Sequence, residues 1–203
     1  LLILFLASYI VPFYSWWINI GGVERFFDAH APAGQNMYMI SRLLGLLAVA
    51  ACCWQICIGI QGKLKSPFLP HTLNHQYKIH KRLGITSLTL FWLHSVTFFA
   101  AVSLRQGKLA SNLLLPNFTD YFHTILSLGW IALILASVAV AVRASDSLRK
   151  WHKLVYIVVP LIFVHSLSFG TETRDPLMLV WYLCLGSMVV FTLSFMLFQR
   201  YRS

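Results

Sequence analysis

Six apolar stretches, each close to the length of a bilayer crossing, recur along the chain at residues 1–20, 37–60, 81–104, 121–142, 152–169 and 177–198. About 20 residues of α-helix cross a hydrocarbon core about 30 Å thick. A chain of 203 residues that is 58% hydrophobic and only 11% charged would leave much apolar surface in water if it folded around one soluble core. The sequence therefore predicts an all-α integral membrane protein, a single domain built as a bundle of six transmembrane helices in a lipid bilayer. The fifth stretch is the shortest. The first opens at Leu1 with no methionine, as a fragment of a longer chain would. No small-residue cleavage pattern follows it, and Trp16 and Trp17 are placed as interface anchors, so it reads as a span and not as a secretory leader.

The net charge of +10 is sorted by loop. Lys63, Lys65, Lys78, Lys81 and Arg82 lie in the second connection, Arg143, Arg149, Lys150 and Lys153 in the fourth, and Arg200 and Arg202 in the tail. The other side keeps Arg25, Arg42, Arg105, Lys108 and Arg174, together with Glu24, Asp28, Asp120, Glu172 and Asp175. The positive-inside rule then predicts that both termini and the even connections are cytoplasmic. The charge is a topology signal and implies no nucleic-acid partner. Cys52, Cys53, Cys57 and Cys184 all fall within spans and read as small hydrophobes.

The third and fifth stretches each carry two histidines: His80 and His94, His152 and His165. In the expected topology His80 and His152 lie at cytoplasmic helix ends, and His94 and His165 lie towards the outer leaflet. At about 1.5 Å per residue the offsets climb roughly 21 and 20 Å, which puts one pair in each leaflet. Haem fits two such levels, because its iron takes axial ligands on opposite faces of a flat apolar ring. Zinc asks for three or four converging ligands, and these spans offer no such cluster. The inferred pairs are His80 with His152 and His94 with His165. Helical phase suits the first span, where fourteen residues return to within about 40° of the starting face; thirteen residues miss by about 140°. Pro160, between His152 and His165, is the expected source of a correcting kink. The plainer alternative is that each histidine bonds a neighbouring helix.

The stretches IHKRLG and WHKLVY, with LHS and VHS at the outer positions, resemble the membrane domain of the ferric reductase and NADPH oxidase superfamily over about residues 37–200. In that family the third and fifth of six helices carry histidines fourteen and thirteen apart. The resemblance implies two stacked b-type haems, a cytoplasmic flavin and NADPH domain or reductase partner, and an external acceptor, O2 (giving superoxide) or Fe(III). No Gly-rich dinucleotide turn occurs here, so FAD and NADPH are expected on another domain or subunit. Two positions depart from the eukaryotic oxidases. Phe98 stands where they carry a further histidine, and Val158 where they often carry an aromatic residue between the haems.

Among supporting residues, Arg82 and Arg42 are candidates for the haem propionates, with Lys81 and Lys153 beside their own ligands. Arg42 alternatively snorkels to headgroups. Phe91, Trp92, Tyr156 and Phe163 lie between the two levels. His123 is a candidate at the outer acceptor site, or simply interfacial. His71 and His75 have i, i+4 spacing, a weak metal signal, and Asn117-Phe118-Thr119 is a glycosylation sequon. Two rivals accompany the redox reading: a quinol-fed haem b subunit reducing an extracytoplasmic partner, and a haem-free proton channel lined by the histidines.

Overall fold

A computed structural model of the chain describes residues 2–64, 73–144, 149–170, 172 and 175–202. All regular structure among them is helical: α1 (Leu2–Asn19), α2 (Gly22–Phe26), α3 (Gln35–Leu64), α4 (Leu73–Gln106), α5 (Tyr121–Ala141), α6 (Val155–Phe169) and α7 (Pro176–Arg202). Short 3₁₀ segments occupy Ser111–Leu113, Val142–Ala144 and Arg149–Leu154. Gly21 and Gly22 have φ of 84° and 72°, a left-handed pair that turns the chain sharply from α1 into α2. Asp120 caps α5 by accepting from the His123 amide at 2.9 Å.

Five helical stretches are long and apolar enough to cross a membrane: Gln35–Ile60, Gln76–Gln106, Tyr121–Ala141, Trp151–Phe169 and Pro176–Phe195. The chain is thus a multi-pass membrane protein. The stretch expected at 1–20 forms a shorter apolar helix, Ile3–Asn19, which falls just below that length.

α3 is the central helix. In its apolar window 67% of residues are buried, against 11% for α4. It packs along α4 and also touches α1 and α7; α5 packs on α6. The close approach is allowed by small side chains, with Ala48, Ala50, Ala51, Cys52 and Cys53 buried in the middle of α3. Cys52, Cys53, Cys57 and Cys184 are all free thiols.

α1 docks through hydrogen bonds that its own sequence makes necessary. Pro12 lies inside the helix and has no amide hydrogen for the carbonyl four residues earlier, that of Ser8. The Trp181 indole of α7 donates to that carbonyl at 3.0 Å, and the Trp54 indole of α3 donates to the Ser8 hydroxyl at 2.8 Å. Trp16, expected as an interface anchor, is instead buried, its indole donating to the Met39 carbonyl at 2.7 Å. A main-chain acceptor inside the bundle outcompetes the headgroup region for that N–H.

Candidate functional site

The histidines of α4 meet those of the α6 limb in two places. The rings of His94 and His165 have centroids 6.4 Å apart and planes at 78°. Those of His80 and His152 are 6.3 Å apart at 83°.

All four imidazoles are anchored in the same way. Nδ1 lies 2.9 Å from the Gln55 carbonyl oxygen in His80, 2.8 Å from that of Ser41 in His94, 2.8 Å from that of Ala139 in His152, and 2.9 Å from that of Ile125 in His165. A carbonyl oxygen only accepts, so each Nδ1 carries the hydrogen, and each neutral Nε2 keeps its lone pair. This is the arrangement by which proteins fix the tautomer and aim of a metal-binding imidazole.

The anchors follow helix register. On α3, Ser41 and Gln55 are fourteen residues apart and face His94 and His80 of the antiparallel α4, also fourteen apart. On α5, Ile125 and Ala139 repeat the offset opposite His165 and His152. Ala139 lies in the last turn of α5, where carbonyls run out of intrahelical donors. One turn beyond three of the anchors stand glycines. A Cβ would lie 2.7 Å from the His80 ring at Gly59, 2.7 Å from the His165 ring at Gly129, and 3.1 Å from His94 Nδ1 at Gly45.

The thirteen-residue offset also has a structural account. His152 is in the 3₁₀ segment Arg149–Leu154, not in α6. Three residues at about 120° and ten at about 100° reduce the angular miss from about 140° to about 80°. Pro160, expected to help, does lie inside α6.

Each pair faces a cavity. The one at His94 and His165 is about 320 Å³ and is walled by aromatic side chains, including Phe91, Phe98, Phe122, Trp130 and Phe169. Arg42 lines it too, but its Nε donates to the buried Glu172 carboxylate at 2.6 Å and its Nη2 reaches the same oxygen. The cavity at His80 and His152, about 390 Å³, is more polar, with Gln55, Gln76, Tyr77 and Tyr156 in its wall. Its basic residues are Arg143 and Lys153; Arg82 is exposed and is not among the lining residues. Both volumes fall in the range of small-molecule sites.

The other candidates are placed elsewhere. His123 serves the start of α5, its Nδ1–H donating to Asp120 at 2.7 Å. The His123 main chain and ring together hold the exposed Asp120 carboxyl below the usual carboxylate range. Trp92 is exposed and donates to the Ser137 hydroxyl at 3.2 Å, and Phe163 packs edge-on to Tyr182. Val158 is buried in the core of the bundle. Asn117 turns its side chain back to the Thr119 amide at 3.0 Å. His71 lies outside the described residues, as does the side chain of His75. No three His, Cys, Asp or Glu side chains among the described residues form a metal-binding group.

The ring spacing tests whether the pairs fit a metal. A metal–imidazole bond of about 2.0 Å, plus about 1.1 Å from nitrogen to ring centre, puts opposed rings about 6.3 Å apart. An imidazole-to-imidazole hydrogen bond of about 2.9 Å would bring the centres to about 5.2 Å. The observed 6.3 and 6.4 Å match the first distance. The donor set, apolar walls and spacing fit two axially ligated haems. No family model, curated protein or solved structure matches the chain.

The sequence reading missed Ser41, Gly45, Gly59, Gly129, Arg143 and Glu172. One signal was available: Gly45 and Gly59 repeat the fourteen-residue offset of His80 and His94.

Proposed function

We propose that this chain is the haem-bearing part of a membrane oxidoreductase of the ferric reductase or NADPH oxidase type. It carries electrons outward across the bilayer from a cytoplasmic FAD and NADPH donor to an external acceptor, O2 or ferric iron. One observation carries the reading: four imidazoles, every Nδ1 held by a main-chain carbonyl, stand in two facing pairs with room for one metal atom between the rings. When bound, the haems supply two one-electron carriers, one towards each membrane surface.

The residues of the chain supply placement. His80 and His152 hold the inner iron, and His94 and His165 hold the outer one. Arg143 and Lys153 neutralise the inner propionates. Phe98, Phe122 and Phe169 keep water from the outer ring. Glu172 fixes Arg42 at the edge of that cavity. α1 completes six crossings, and the basic connections face the cytoplasm. No side chain has to act as acid or base for one-electron transfer.

An absorption spectrum of the purified, dithionite-reduced protein tests this directly. A low-spin b-type signature is expected, with haem content halved by His94→Ala and again by combining it with His80→Ala. Stably folded, colourless wild-type protein would overturn the proposal. So would a haem spectrum indifferent to all four histidines.

A further inference from the structure

The four anchors are not equivalent. Ser41 is fully buried, and its hydroxyl makes two contacts with the same histidine. Its Oγ–H donates to the His94 carbonyl at 2.9 Å, which turns the oxygen lone pairs towards His94 Nδ1, 3.0 Å away. The Nδ1–H therefore has two acceptors, this hydroxyl and the Ser41 carbonyl at 2.8 Å. Across the cavity, His165 Nδ1 is held by the Ile125 carbonyl.

An acceptor at Nδ1–H draws that proton away from the ring and leaves more electron density at Nε2. A more basic axial imidazole stabilises the ferric state, which carries the extra positive charge, and so lowers the reduction potential of its iron. We infer that the Ser41 hydroxyl is a positioning residue that tunes the outer redox centre: its second hydrogen bond makes His94 a stronger donor and holds the outer centre at a lower potential than the carbonyl anchor alone would give. The inference rests on the two-haem reading above. It adds a specific role for a residue that touches neither iron nor acceptor.

The test is a spectroelectrochemical titration of the full chain, haem-loaded and in detergent. Wild-type protein should show two one-electron midpoints. The outer one is identified as the midpoint that disappears in His94→Ala. Ser41→Ala should move that midpoint upward and leave the inner one in place. Ser41→Thr, which keeps the hydroxyl, should stay at the wild-type value. Ser87→Ala removes another buried hydroxyl from the α3–α4 interface, one bonded to the Ala48 carbonyl at 3.4 Å, and should move neither midpoint. Should Ser41→Ala lose the outer haem while Ser41→Thr retains it, the hydroxyl is still shown to hold the ligand; loss in both variants overturns the inference. Unmoved midpoints in Ser41→Ala, equal movement of both, or a Thr variant that behaves like Ala overturn the role of Ser41 but leave the two-haem reading standing. A haem-free wild type overturns both.

Discussion

Gly59 and Gly129 bring the main chain of α3 and α5 so close to an imidazole that even a methyl group has no space. A Cβ at either would lie 2.7 Å from the ring of His80 or His165. Rings held this tightly cannot rotate away from the cavity, which is what a metal-binding imidazole requires of its surroundings. Replacing Gly59 with alanine should push His80 off its anchor at the Gln55 carbonyl. The expected outcome is loss of the inner low-spin haem signal, with a cost in stability of about 1–3 kcal/mol. Gly186→Ala is a matched control, since its Cβ would meet Phe163 at an ordinary 3.4 Å. Its spectrum should be that of wild type. Reduced spectra and thermal unfolding of the two variants side by side check this.

At this scale the histidines were legible because an ionisable side chain in an apolar span stands out from its neighbours. Their anchors were not. Ser41, Gln55, Ile125 and Ala139 contribute a carbonyl oxygen that every residue type possesses, so no side-chain pattern marks them. Arg82 was the expected inner cation because of its closeness to His80 in sequence. The cavity takes Arg143 and Lys153 instead, brought there by 3₁₀ turns at the end of α5 and before α6.

At the scale of the element, α1 and α6 show how a proline is accommodated inside a helix. In α1 the carbonyl that Pro12 leaves without a donor is taken by the indole of Trp181. Trp181→Phe keeps the ring's bulk and removes that N–H, leaving the Ser8 carbonyl buried without its donor. The expected loss is about 1–3 kcal/mol, with α1 the first segment to loosen. Hydrogen exchange along α1 in detergent reads both the size and the place of the effect; uniform or absent loosening would argue against it. The positions of the five longer helices were readable from apolar length alone, with ends shifted by a few residues. The burial of Trp16 was not, because a tryptophan near a helix end serves equally well at a headgroup or at a carbonyl in the bundle. In α6, the departure from ideal phase came from the 3₁₀ turns that hold His152, a change of helix type that no composition announces.

At the scale of the whole molecule, α3 with α4 and α5 with α6 each form a closely packed pair, and contact between α4 and α5 is slight. Every imidazole is anchored within its own pair: α4 residues on α3, and residues of the α6 limb on α5. Every facing partner comes from the other pair. Haem binding is therefore expected to stabilise the assembled bundle by mass action, by about 2.7 kcal/mol at a free concentration 100 times the dissociation constant. Protein made under haem limitation should melt lower and recover on addition of haemin. The recovery should shrink in His94→Ala and His80→Ala, and a melting temperature blind to haemin would contradict the expectation.

The crossed origin of each clamp has a consequence for how such a chain matures. Each iron becomes a rivet driven through two separately made plates, so loading and final assembly are one event. A cell short of the cofactor would accumulate two well-formed halves with loose alignment between them, and quality control could recognise the shortage by that looseness alone.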